Sequence, residues 1–305
     1  MKTGAIIIAS GKKASNDSFQ PMIKIGNISA VLRLIKTFQQ AGAEPIVLVA
    51  GSQSEKLEKH VSRMGIIYLR DSEDACHEMI DYAKIGFAYL KDISDQVLVA
   101  PVDVPLFTSD TVTRLMHSGA ILANPVFNGK RGHPLLIASS LFPFFLQYQG
   151  KNGLKGAINV CDCQRTNIDV SDAGVLYDVN SGDDYMELLE QQTQTVLRPF
   201  VKIQLCKEDI FFGPGTAQLL SQIDNTGSVR LACEQMTISY SKGWKLIRIM
   251  EEQLGITVVK RQQGGKYGGS ATLSDQGKTL LKQYYAFDKA CKEIIQQQFD
   301  IYLKE

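Results

Sequence analysis

The stretch Ala100-Pro101-Val102-Asp103-Val104-Pro105 sets one carboxylate, Asp103, between two prolines directly after the apolar run 97–100. The flanking prolines stiffen the turn and so hold the carboxylate in place. An acidic group at the carboxyl end of a strand suits Mg2+, which neutralises charge on an α-phosphate and on departing pyrophosphate. A cap for the next helix is the other use of such an aspartate, but Thr108 or Ser109 is better placed for it. A second feature is Ala9, Ser10, Gly11, Lys12 and Lys13, followed by Pro21 and Lys24. A glycine after a strand lets consecutive N–H groups approach phosphate oxygens, and the lysines add charge suited to a triphosphate. A plain turn between strand and helix explains the same glycine equally well.

Two further segments carry chemistry. Tyr177-Asp178-Val179-Asn180 reads as a short strand leading into a helix, and Asn180 or Asp178 would give the metal a second oxygen. Ser181 with Asp184 looks like a capping box, so part of that pattern is structural. Asn128-Gly129-Lys130-Arg131-Gly132-His133-Pro134 is a turn bearing two cations and a histidine. A hairpin accounts for its glycines and a substrate-phosphate loop for its cations; both readings stand, with Arg131 and His133 as the substrate-binding candidates. Cys161 and Cys163 lack a second Cys or His pair at zinc spacing and read as small residues beside a strand.

Elements must position these groups. Apolar runs at 5–9, 45–50, 65–69, 96–100, 120–126 and 134–138 alternate with helical periodicity at 29–41, 54–64, 75–90 and 109–118. The alternation predicts an α/β domain, a Rossmann-like three-layer arrangement with a mostly parallel sheet covered on both faces. Ligands then bind beyond the carboxyl ends of the strands, where the loops after Ala9 and Ala100 lie. Near 191–199 the text turns polar and proline-terminated, and helical periodicity dominates from Gly215. The 305 residues therefore divide into domains at 1–198 and 199–305. A content of 44% hydrophobic and 21% charged residues excludes wholesale disorder. The net charge of +1 neither marks nor excludes a nucleic-acid binder. No run is long enough to cross a bilayer, the first apolar stretch is too short for a signal peptide, and six scattered cysteines suit a reducing compartment. The expectation is a cytoplasmic protein with no membrane partner.

The second domain has its own pattern. Leu219, Leu220 and Ile223 lie on a helix that stops at Asn225-Thr226-Gly227, Ser228 caps a short helix over 229–236, and 237–239 turn into a longer helix over 240–254. That is the layout of a DNA-reading helix-turn-helix. Its exposed face presents Ser239, Ser241, Lys242, Lys245 and Arg248, with Trp244, Ile247 and Ile249 turned at least partly inward. Strands at 256–261 and 271–273 flank a glycine-rich tip holding Lys266, a wing suited to the DNA backbone or minor groove. The 264–269 glycines do not open into a helix with Lys-Ser or Lys-Thr, so they are not a nucleotide phosphate loop.

Over residues 3–189 the Ala-Pro-Val-Asp-Val-Pro, Gly-His-Pro and Asp-Val-Asn-Ser-x-x-Asp-Tyr segments resemble the MobA/MocA-like nucleotidyltransferases of molybdenum-cofactor synthesis. The resemblance implies that the first loop binds CTP or GTP, that Asp103 holds Mg2+, and that a molybdopterin phosphate attacks the α-phosphate. The family's first-loop arginine and lysine positions fall on Ser15 and Gln20 here, leaving Lys12, Lys13 or Lys24 to supply the charge. Asp103 and Lys24 are the expected catalytic residues, with Asp103 and Asn180 as metal ligands. Loss of both family cations would also fit a transferase domain retained as a sensor, and another small-molecule phosphate as acceptor fits the same fold. Over 209–281 the chain resembles the DNA-binding domain of ModE regulators and, more loosely, LysR-type regulators. That likeness implies a DNA-binding homodimer built on helical 274–304, with Leu280, Leu281, Tyr284, Phe287 and Ile294 in its seam, and regulation of molybdenum genes. The molybdate-binding β-barrels usual after a ModE winged domain are not expected, the sequence ending at Glu305.

Overall fold

The computed structural model describes residues 1–9, 20–51, 54–62, 64–71, 78–179, 188, 199, 201–236, 238–262 and 270–303. The chain forms two compact units, Met1–Val196 and Leu197–Glu305.

The first unit opens with β1 (Thr3–Ala9), a small hairpin of β2 (Lys24–Ile25) and β3 (Ile28–Ser29), and α1 (Ala30–Gln40). There follow β4 (Ile46–Ala50), α2 (Glu55–Val61), β5 (Ile67–Arg70), α3 (Met79–Leu90), β6 (Gln96–Pro101) and α4 (Ser109–Met116). The remainder is β7 (Leu122–Phe127), β8 (Lys130–Arg131), β9 (Leu135–Ala138), α5 (Phe142–Gln147), α6 (Gly153–Val160) and β10 (Arg165–Asp169). The sheet order is β10-β7-β9-β6-β1-β4-β5, with β8 paired to β7. Strand β1 is parallel to β4 and β6, β4 to β5 and β7 to β10, whereas β9 runs antiparallel to both β6 and β7.

Every residue of β1 is buried, as a central parallel strand covered on both faces requires. Ala5, Ile7 and Ala9 pack with Leu34, Phe38 and Phe107 on one face, and Ile6 and Ile8 with Phe87, Phe142 and Phe145 on the other. The result is three layers. Strand β10 is absent from the apolar pattern because it is an edge strand of alternating polar and half-buried residues. Residues 177–179 are not the strand that their sequence suggests. A short 3-10 helix, Ala173–Leu176, precedes them, and its Gly174 lies so close to the Leu106 carbonyl that no Cβ would fit.

The second unit contains β11 (Leu205–Cys206), β12 (Ile210–Phe212), α7 (Pro214–Thr226), α8 (Val229–Gln235), α9 (Tyr240–Leu254), β13 (Val259–Gln262), β14 (Ser270–Leu273) and α10 (Asp275–Tyr302). Gly227 and Gly255 close α7 and α9 in the left-handed region, at φ 66° and 68°. The hydroxyls of Ser228, Ser239 and Ser274 accept hydrogen bonds from the N–H groups of Leu231, Lys242 and Gly277, capping α8, α9 and α10. Phe212, Leu219, Leu220, Ile223, Ile247, Met250 and Val258 form the core. Antiparallel β13 and β14 make the stem of a wing, so the unit is a winged helix-turn-helix.

Candidate functional site

Asp103 stands just past the carboxyl end of β6. Its turn is held by hydrogen bonds from Val102 N to Ile8 O (3.0 Å), Val104 N to Pro101 O (3.3 Å) and Val179 N to Asp103 O (2.8 Å). The last of these brings the 177–179 segment, with Asp178, alongside the loop. Asp103 Oδ1 is buried and, among the described residues, has no hydrogen-bond partner. Burial first, and the Asp178 charge second, push the Asp103 carboxyl above the usual carboxylate range. Asp172, at the same end of the sheet, shows the contrast. It accepts hydrogen bonds from Thr108 N (2.7 Å), Thr108 Oγ1 (2.9 Å), Thr111 Oγ1 (2.6 Å) and Gly174 N (2.9 Å). Thr108 in turn caps α4, as its position in the sequence suggests. Asp172 is thus a structural carboxylate and Asp103 is not.

Two hard oxygen donors, one of them orphaned, suit a divalent cation that completes its shell with water and phosphate oxygens. Among the described residues no group of three or more His, Cys, Asp or Glu comes together, so no closed protein cage is present there. Asn180, the other expected ligand, and Ser10, Gly11, Lys12 and Lys13 of the first loop lie outside the described residues, as does Ser15. Ala9 ends β1 fully buried. Lys24 is exposed on β2, opposite Ser29.

The cationic loop is a hairpin. Phe127 pairs with Lys130 across Asn128 (φ 49°) and Gly129 (φ 76°), the backbone of a two-residue turn that asparagine and glycine favour. Arg131 is exposed and its Nε donates to Asn167 Oδ1 (2.7 Å). His133 donates its backbone N–H to Val175 O (2.9 Å), and its Nδ1 is buried without a partner among the described residues. Burial lowers its imidazole to about 4, against a hydrogen bond to the Val99 backbone, so His133 is neutral at physiological pH and brings no charge to the loop. Arg165, which its place in the sequence does not distinguish, sits beside this loop with its Nε donating to Asn124 Oδ1 (2.6 Å). Cys161 and Cys163 lie with their sulfurs 3.0 Å apart between α6 and β10.

In the second unit Ser241, Lys242, Lys245 and Arg248 are exposed on α9. Ser239 is exposed as well, but its hydroxyl is engaged as the helix cap. Trp244 is half-buried, and its ring carries the Arg261 guanidinium 3.7 Å from its centroid. Glu251 Oε1 accepts from Val258 N (2.7 Å) and Val259 N (3.1 Å). The wing stem is therefore tied to the reading helix at two points that helical periodicity does not disclose. Lys266 and the wing tip lie outside the described residues.

These features define a two-unit protein, a nucleotidyltransferase-type α/β domain followed by a winged helix-turn-helix. A family model for the MobA-like NTP transferase domain matches residues 5–166, more than half of the chain, and the chain belongs to that family. A nucleotidyl transferase from Methanothermobacter thermautotroptrophicus shares the fold, with TM-score 0.55 and 16% identity over 62% of this chain and 99% of that one. So does the manganese complex of Rv0371C from Mycobacterium tuberculosis H37Rv, with TM-score 0.52 and 17% identity over 62% of this chain and 99% of that one. The C-terminal region is similar to ModE transcriptional regulators and to a molybdenum-pterin-binding protein. The molybdenum-pterin-binding protein MopB of Rhodobacter capsulatus is 31% identical over 83 residues, 27% of this chain and 31% of its own length. The transcriptional regulator ModE of Yersinia pestis is 35% identical over 78 residues, 26% of this chain and 30% of its own length. The chain spans about a third of the length of these relatives.

Proposed function

We propose that the first unit binds a nucleoside triphosphate, CTP or GTP, with Mg2+ and a molybdopterin-type acceptor, and that the second unit binds double-stranded DNA as a homodimer and regulates genes of molybdenum metabolism. The observation that carries the first half is the buried Oδ1 of Asp103, without a partner among the described residues, beside Asp178 at the carboxyl edge of β6. Asp103 and Asp178 would hold the cation, with Asn180 as a further oxygen, and the cation would supply charge neutralisation at the α-phosphate. The chain's own contribution would be positioning: the proline-flanked turn fixes Asp103, while Ser10 to Lys13 of the first loop would contact the phosphates and Lys24 would add charge. A manganese complex of a protein of the same fold agrees with a divalent ion here. The likeness of the second unit to transcriptional regulators, one of them described as DNA-binding, supports DNA as its partner, with Ser241, Lys242, Lys245, Arg248 and Lys266 as the contacting groups.

Ser15 and Gln20 favour a second reading, in which turnover is lost and the first unit senses nucleotide or cofactor for the DNA-binding unit. Losing one transition-state cation commonly costs on the order of 2–4 kcal/mol, so two substitutions would silence catalysis while leaving binding. Pyrophosphate release with Mg2+, molybdopterin and CTP or GTP separates the two, with Asp103→Ala as control. Release that disappears in the variant establishes the transferase. Nucleotide binding without release establishes the sensor. Neither binding nor release refutes both.

A further inference from the structure

We infer that Arg131 and Arg165, oriented by Asn167 and Asn124, form an anion site on the first unit that takes a phosphate monoester, the anionic end of the acceptor. The inference rests on reading this unit as a nucleotidyltransferase-type domain and adds a recognition site to it.

The four residues come from three adjacent strands. In the sheet register Asn167 of β10 lies opposite Asn124 of β7, and Arg131 of β8 lies opposite Val126 of β7. Asn124 is 3% exposed and its amide is fixed, with Nδ2 donating to Gly132 O (2.9 Å) and Oδ1 accepting from Arg165 Nε (2.6 Å). Asn167 Oδ1 accepts from Arg131 Nε (2.7 Å) in the same way. Each guanidinium is thus aimed by its Nε, and among the described residues no hydrogen bond engages its two Nη groups. Among the described residues neither arginine forms an ion pair with a carboxylate. The two arginines are brought to one part of the sheet by the pairing of Asn124 with Asn167, each of which holds one of them, and the Arg131 charge, after burial itself, holds the Arg165 guanidinium below its ordinary range.

Two like charges placed together with no acid between them repel one another, and an anion between them would reverse the sign of that interaction. Two planar forks match the oxygens of a tetrahedral dianion, which a nucleobase or a single carboxylate would not need. The site also has a structural link to Asp103. The 173–179 segment accepts the His133 N–H at Val175 O and donates from Val179 N to Asp103 O, lacing the loop of Arg131 to the loop of Asp103. An acceptor phosphate held by the arginines would then sit on a loop that the 173–179 segment ties to the loop of Asp103.

The test uses the full chain and inorganic phosphate as probe, titrated at constant ionic strength against chloride, with melting of the first unit as readout. Arg131→Gln, Arg165→Gln and Arg165→Lys are compared with wild type, and a Lys242→Ala/Lys245→Ala protein controls for phosphate on the other unit. Phosphate is expected to stabilise wild type and the lysine control alike. Its apparent affinity is expected to fall at least tenfold in each glutamine variant and by less in Arg165→Lys, which keeps the charge and loses the fork. Without phosphate, Arg165→Gln loses the donor to the buried Asn124 Oδ1 as well as a like charge, so the affinity for phosphate and not the phosphate-free melting temperature is the readout. No phosphate response in wild type, or an unchanged one in the glutamine variants, overturns the inference. A parallel titration with CTP and GTP plus Mg2+ keeps the two readings apart. Loss of nucleotide affinity in Arg165→Gln would place the pair in the nucleotide site and overturn an acceptor site, whereas absence of nucleotide binding by wild type would refute the transferase reading itself.

Discussion

Asp103 and Asp172 are both partly or wholly buried near one end of the sheet, and their environments set their uses. Asp172 accepts four hydrogen bonds and ties the start of α4 to the 173–176 turn. Asp103 has a buried oxygen with no donor among the described residues and a second carboxylate nearby, so its charged form is disfavoured in the folded chain. The linkage sign follows from a raised carboxyl: the folded state binds the proton more tightly than the unfolded state, so this group favours folding at low pH and that contribution is lost as pH rises through its folded pKa. Removing the charge is therefore expected to stabilise. Asp103→Asn should unfold at higher denaturant than wild type at pH 7, by on the order of 1 kcal/mol, with the gain shrinking toward pH 4. Millimolar Mg2+ should raise the wild-type midpoint and leave the variant unmoved; denaturation at several pH values with and without Mg2+ checks both. Much of this site is legible in the sequence because proline spacing fixes Asp103 locally. Arg165 is not, since nothing near it in the chain announces Asn124, which meets it only when β10 pairs with β7. The neutral state of His133 is likewise a property of burial that its loop sequence does not carry.

Elements were legible where burial is continuous. β1, β4 and β6 are buried throughout and mostly apolar because neighbouring strands flank them and both faces are covered, whereas β10 is polar because it ends the sheet, and α5 begins at Phe142-Pro143 where no apolar period is long enough to show. In the second unit serine caps and glycine stops mark α7 to α10 in the sequence, but the fit between α8 and α9 is a tertiary matter. Gly243 faces Cys233 Sγ so closely that a Cβ there would collide with it. Gly243→Val is expected to cost about 2 kcal/mol in the second unit alone and to weaken DNA binding. A melt resolving two transitions would show the lower stability in one, with nucleotide binding intact. Helix α10 carries a separate pattern. Phe287, Ile294 and Ile301, at seven-residue spacing, are 49%, 57% and 68% exposed, an apolar seam of the kind that pairs helices. Ile294→Lys is expected to convert a dimer to a monomer in sedimentation at micromolar concentration. A wild-type protein already monomeric there would remove the seam from the account.

At the scale of the molecule, one chain joins a nucleotide-type unit to a winged unit, and covalent linkage alone gives no regulation. Coupling requires that ligand bound to the first unit change the free energy of DNA binding by the second, and linkage makes that change reciprocal. A tenfold effect corresponds to about 1.4 kcal/mol, comparable to a few rearranged hydrogen bonds. Reciprocity allows a test even before a natural operator is found. A duplex selected from a random pool by the full chain is titrated with and without CTP or GTP, Mg2+ and molybdopterin, and the nucleotide is titrated with and without that duplex. A coupled protein is expected to show the same factor, at least fivefold, in both directions. Asp103→Ala should abolish it in both, while Lys245→Ala should weaken DNA binding in either ligand state by a similar factor, because it removes a phosphate contact rather than the link. A factor present in one direction only would breach linkage and point to aggregation or competition for one site. A factor of one in both directions would leave two independent activities on one chain, and the selective value of joining them would then lie in placing the transferase near DNA rather than in sensing.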